Sequence, residues 1–172
     1  LAQKKESIPY SDEAVAESIR KGKAFLWRLY QEDKGHWPEP GPGENGKPNR
    51  YYGGYTSLAA LALLSSGESY QTPKMKRALQ FLSKIEMDAT YCLGLRAQVW
   101  SKLPDNHPQA RALLKRDASK LVKSICRPKR LTSLKQLELD LQKNDKIGTY
   151  TYVSDGTPSN GGDHSNTQFG IL

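Results

Sequence analysis

An all-α fold of helical hairpins, with outer amphipathic helices alternating with inner apolar ones, is predicted by three features of the sequence. Apolar residues recur at close to a 3.6-residue spacing through residues 12–31, 73–85 and 108–125, the period of a helix with one buried stripe. Residues 55–66 and 91–103, which lie between them, are apolar on nearly every face, as in a helix surrounded by other helices. Gly67, Pro73, Pro104 and Pro128 stand at the junctions, where glycine closes a helix and proline starts or stops one.

The first outer helix carries Val15, Ile19, Phe25, Leu26 and Leu29 on its apolar face, with Ser11 or Asp12 placed to cap it. Residues 35–54 contain four prolines and six glycines, a composition that cannot continue a helix, so a long structured loop is expected. The run 55–66 is the first inner helix, with Thr56 or Ser57 as its N-cap. Pro73 suits a first turn, and Met75, Leu79, Phe81, Leu82 and Ile85 follow as the second outer helix. Leu93, Leu95, Ala97, Val99 and Trp100 mark the second inner helix. Leu113, Leu114, Leu121, Val122 and Ile125 mark the third outer one, broken at Arg127-Pro128. Residues 131–143 read as an inserted helix, residues 149–153 as a short extended piece, and a third inner helix is expected near Asp163. All of this fits a single domain, with hairpins over residues 12–67, 73–103 and 107–172.

The 172 residues are enough for one compact core and too few for two ordinary domains. Lys and Arg outnumber Asp and Glu by 26 to 18. The excess falls between residues 102 and 146, at Arg111, Lys115, Arg116, Lys120, Lys123, Arg127, Lys129, Arg130 and Lys135. These positives lack the interleaved aromatics of a single-strand stacking surface, so they read as a solvated helix face and nucleic acid is not the expected partner. Cys92 and Cys126 have neither a metal-ligand spacing nor a disulfide framework and read as core thiols. No apolar run approaches the roughly 20 residues that span a bilayer. Leu1-Ala2-Gln3 is similar to the remnant of a signal-peptide cleavage, which points towards an exported or periplasmic protein. Residues 165–172 read as an apolar helix with no closing cap, so the chain is expected to be an N-terminal fragment.

Three helix-to-helix junctions look alike, as in a repeat protein. They read Gln31-Glu32-Asp33-Lys34-Gly35-His36-Trp37, Glu86-Met87-Asp88-Ala89-Thr90-Tyr91 and Asp145-Lys146-Ile147-Gly148-Thr149-Tyr150. Each ends on a small residue, a spacer and an aromatic. The first extends back through Phe25-Leu26 to Lys21-Gly22. That run resembles the QW repeat of squalene-hopene and oxidosqualene cyclases, whose pattern is basic-small, aromatic-aliphatic, then glutamine, glycine and tryptophan. The second copy keeps Arg77-Ala78 and Phe81-Leu82 but has Glu86, Ala89 and Tyr91 at the last three positions, and the third keeps only Gly148 and Tyr150. Residues 163–168 are also similar to a segment of bacterial prenyltransferase and squalene-oxidase repeat proteins. The resemblance covers most of the chain and is specific in its first repeat.

The resemblance implies an α/α toroid, here an arc of about three hairpins of an incomplete (α/α)6-type barrel from a bacterial protein. Further hairpins of the same ring, or another chain, would complete it. It implies a terpenoid cyclase- or prenyltransferase-like module that binds an apolar or isoprenoid-like small molecule, or a protein partner, without establishing catalysis. One alternative is a true terpene cyclase or prenyltransferase whose catalytic motif lies beyond Leu172. Another is a helical-repeat scaffold that offers the basic residues 111–135 to an acidic partner.

The junction residues also have a physical rationale of their own. Gln31 can bond free backbone groups at a helix end, Gly35 permits a positive φ, and Trp37 covers the junction with a large apolar face. Gln31, Gly35, Trp37, Tyr91, Gly148 and Tyr150 are therefore read as structural clamps. In the toroids that the chain resembles, loops at the N-terminal ends of inner helices line the central cavity. This makes Tyr52, Tyr55, Asp163, His164 and Asn166 ligand-binding candidates, at helix ends that also attract anions. The commoner role of Asp163 or Ser165 is an ordinary N-cap.

No DxDD acid motif of the class II cyclases occurs, and the Asp, Cys and His zinc ligands of protein prenyltransferases are missing, with His36, His107 and His164 scattered. No metal, no cofactor and no assigned catalytic residue are expected from these residues. Arg96, with Trp100 near it, stands out in an apolar helix. An unpaired buried guanidinium is costly, so Arg96 is expected either to meet Glu86 or Asp88 or to face the central cavity with Trp100.

Overall fold

A computed structural model describes residues 11–41, 49–125, 133, 148–150 and 167. Among these the protein is all-α, with five helices: α1 (Asp12–Leu29), α2 (Gly54–Ser65), α3 (Pro73–Lys84), α4 (Thr90–Ser101) and α5 (Ala110–Ser124). The residues expected to form the inserted helix and the third inner helix lie outside the described residues, apart from Ser133 and Thr167.

Local chemistry accounts for most helix ends. The Ser11 hydroxyl accepts from Ala14 N at 3.2 Å, and Asp12 and Glu13 occupy the first turn of α1, where acidic groups complement the helix dipole. The helix stops at Leu29, two residues short of the periodicity, because Tyr30 turns extended and Gln31 enters a tight exit. There the Gln31 carbonyl accepts from Lys34 N and Gly35 N, and Gly35 adopts a φ of +77°. Pro73 opens α3 behind the Thr72 cap. α5 begins two residues after Pro108, once the turn from Pro104 through His107 has closed.

Helix α4 is the centre of the described structure, packing against α2 on one side and α5 on the other. Cys92, Leu93, Gly94, Leu95, Arg96, Val99 and Trp100 are all buried. The N-terminal ends of α2 and α4 lie together: a Cβ on Gly54 would come 2.6 Å from the Cys92 sulfur, so only glycine allows this approach. Helix α5 meets the C-terminal end of α3 where Arg116 Nη1 donates to the Ser83 carbonyl at 2.8 Å, and Lys120 pairs with Glu86 just beyond it.

Two expectations about faces are corrected. The apolar stripe of α1 was expected to be its packing face, but no α1 residue is buried and Val15, Ile19, Phe25 and Leu29 are exposed. α1 attaches instead through its last turns, where Leu26, Trp27 and Tyr30 meet the core. Nor is α2 enclosed on every side, since Tyr55, Leu58 and Ala62 form an exposed row one helical turn apart.

Candidate functional site

The α1–α2 junction combines the densest aromatic packing with a cleft. Trp37 is 3% exposed, and its indole Nε1 donates to the Leu26 carbonyl at 2.7 Å, one of the four that the end of α1 leaves without an intrahelical partner. Its ring packs on Trp27 and Tyr30 at centroid distances of 5.3 and 4.9 Å, and its own N–H donates to Thr56 Oγ1. Gln31 contributes to this clamp through its backbone, donating from N to the His36 carbonyl and accepting from Gly35 N. The sequence pointed to its side chain instead; Gln31 also borders the cleft.

The cleft has a volume of about 520 Å³ and is bounded by Gln31, Lys34, His36, Glu39, Asn49 and Tyr52 together with Pro38, Pro40 and Gly41. His36 stacks on Phe81 at 4.2 Å, and its Nδ1 lies 2.6 Å from the Trp37 carbonyl. A carbonyl only accepts, so the proton sits on Nδ1, leaving Nε2 as the acceptor in the neutral ring.

Glu39 caps α2: Oε2 accepts from Gly53 N at 2.8 Å and Oε1 from Thr56 N at 2.7 Å. This corrects the expected Thr56 or Ser57 cap. The helix begins earlier, behind Gly53 at φ +89°, and both hydroxyls lie inside it. A carboxylate on two N-terminal amides also opposes the helix dipole favourably. Glu39→Ala is expected to destabilise the fold by about 1–2 kcal/mol, with Glu39→Gln intermediate, as read by urea denaturation.

Arg96 does not pair with Glu86 or Asp88 and does not face a cavity. It is fully buried, and its Nε and Nη2 each lie 2.7 Å from an Asp117 oxygen in a two-pronged ion pair. Its Nη1 donates to the Leu82 and Ile85 carbonyls at the end of α3. Trp100 is a core residue rather than a ligand contact, with its indole N–H donating to Asp117 Oδ2 at 2.8 Å. Arg116 Nε completes four bonds to the Asp117 carboxylate. Asp117 was missed from sequence, although a signal existed: it sits four residues after Leu113 and four before Leu121, on the buried stripe of α5.

The remaining candidates do not converge. Tyr52 borders the cleft, Tyr55 projects into solvent from α2, and Tyr91 is half-buried at the start of α4. Gly148 has a φ of +86°, and Tyr150 is buried with its N–H donating to Thr167 Oγ1 at 3.1 Å. Asp163, His164 and Asn166 lie outside the described residues. Among the described residues, no three His, Cys, Asp or Glu side chains group to hold a metal ion, and no helix is long and apolar enough to cross a membrane.

Burial, and secondarily the Glu39 charge, push the Cys92 thiol from about 9 up to about 12. A raised thiol pKa leaves stability untouched below about pH 9 and lowers it between about 9 and 12, because the unfolded chain ionises first. Cys92→Ala should therefore lose less stability than the parent over that interval. In the folded protein the Cys92 thiol should not react with a disulfide reagent at pH 8.

No protein-family model, curated protein or solved structure was found to match this chain.

Proposed function

We propose that the chain is a terpenoid cyclase- or prenyltransferase-like module of an α/α toroid that binds an apolar or isoprenoid-like ligand along its inner helices. The observation that carries this reading is the exposed face of α2. On a helix that buries Thr56, Ser57, Ala59, Ala60 and Leu63, Tyr55 is 59% and Leu58 48% exposed, with Ala62 one turn further on. An apolar row on an inner helix is what an apolar cavity wall requires. The alternation of amphipathic with apolar helical segments in the sequence supports the same reading, as does the apposition of the α2 and α4 N-terminal ends at Gly54 and Cys92. Further hairpins, from the same ring or another chain, would close the cavity over this wall.

The test is binding of farnesol by equilibrium dialysis to the parent chain, Leu58→Glu and Tyr55→Ser. The reading expects saturable binding that Leu58→Glu weakens by at least about tenfold, the loss expected for one buried aliphatic side chain. No saturable binding, or equal binding by all three proteins, would reject it.

A further inference from the structure

We propose that the outward face of α1 pairs with the same helix of a second copy of this chain, antiparallel about a two-fold axis passing by Gly22. This face of α1 is separate from the exposed Tyr55–Leu58 face of α2. Val15, Ile19, Phe25 and Leu29 are each more than 40% exposed. Their spacing is mirror-symmetric about Gly22: Ile19 and Phe25 lie three residues to either side, and Val15 and Leu29 seven. Antiparallel pairing with Gly22 on the axis therefore sets Val15 of one copy against Leu29 of the other, and Ile19 against Phe25. Every apolar residue then meets an apolar one, as an interface between identical copies requires. Nothing lies within 4 Å of the position a Cβ would take on Gly22, and its lack of a side chain lets two backbones approach closely where the helices cross.

Charge selects the same orientation. The first two turns of α1 carry Asp12, Glu13 and Glu17, Arg20 and Lys21 follow just before Gly22, and Lys23 and Arg28 lie beyond it. Antiparallel pairing sets the acidic first turns of each helix beside the end of the other that carries Arg28, and opposes the two helix dipoles. A parallel pair would set acid against acid and base against base.

Sedimentation equilibrium of the whole chain from about 1 to 200 µM, a range suited to a one-helix interface, should show the mass rising from 19.2 kDa towards twice that value. Ile19→Glu should weaken the association at least about tenfold. Gly22→Leu is the decisive variant. It improves helix propensity and meets nothing in the monomer, yet it forces the two helices apart and should also weaken the dimer at least about tenfold. In a background with Cys126→Ser, mild oxidation should cross-link Gly22→Cys to a covalent dimer and leave Ala24→Cys, about 200° around the helix, as monomer. A mass of 19.2 kDa at every concentration overturns the proposal. So does association of Gly22→Leu as tight as that of the parent, which marks non-specific apolar contact, or equal cross-linking at both cysteines.

Discussion

Asp117→Ala is expected to destabilise the protein by about 3–5 kcal/mol, a large part of the stability of a domain of this size. The substitution leaves the Arg96 guanidinium, which is 0% exposed, with no countercharge. It also removes the acceptor of the Trp100 indole N–H and the carboxylate beside Arg116 Nε. Arg96 would still donate to the Leu82 and Ile85 carbonyls, but two neutral acceptors do not offset a buried charge. Urea denaturation followed by circular dichroism measures the loss, and Asp117→Asn should fall between alanine and the parent. The double variant Arg96→Met with Asp117→Leu should recover much of it, because an apolar pair removes both desolvation costs together. A loss below about 1 kcal/mol for Asp117→Ala would mean that water reaches Arg96, contrary to its burial in the α3–α4–α5 packing.

The second large effect is expected at Trp37→Ala, also about 3–5 kcal/mol, through loss of a buried indole. Its consequence should be local. α1 buries none of its own residues and is held by the Leu26, Trp27 and Tyr30 region, where Trp37 stacks and donates to the Leu26 carbonyl. Without the indole, amide hydrogen exchange across α1 should rise towards that of a free peptide while α4 stays protected. Trp37→Phe keeps a ring but leaves that carbonyl without its donor, and should cost about 1–3 kcal/mol. Equal loss of protection in α1 and α4 would show instead that the junction and the α4 core unfold as one unit.

Helix positions were legible because they depend on neighbours within a few residues. The proline at the start of α3, the Ser11 cap and the 3.6-residue spacing are local signals, and the structure has helices where they fall. The degree of enclosure was legible for α4, whose apolar composition matches its burial. α2 has similar composition but keeps the Tyr55–Leu58 face open. Composition states that a helix prefers to be surrounded, and what surrounds it depends on distant segments.

The site shows the same division. Gly35 and Trp37 could be singled out because the junction pattern is compact in sequence, and the structure gives Gly35 its positive φ and Trp37 its aromatic cluster; Tyr52, a candidate through the resemblance, borders the cleft. The roles of Glu39, Asp117 and the Gln31 backbone could not be assigned in that way. Glu39 reaches amides 14 and 17 residues away, and the Arg96–Asp117 pair spans 21. For Arg96, the nearby acids Glu86 and Asp88 were plausible partners on proximity in the chain, yet helix packing brought α5 to it instead.

The amino-acid order thus settles where helices lie to within about two residues at each end, and that most alternate between amphipathic and wholly apolar, because backbone capping and side-chain periodicity act over one or two turns. Only the packing of α2, α4 and α5 decides which carboxylate neutralises Arg96, which residue caps α2 and which stripe of α1 is left uncovered. These are contacts between segments far apart in the chain, and no local period or spacing encodes which of several chemically suitable partners the tertiary fold will bring within bonding distance.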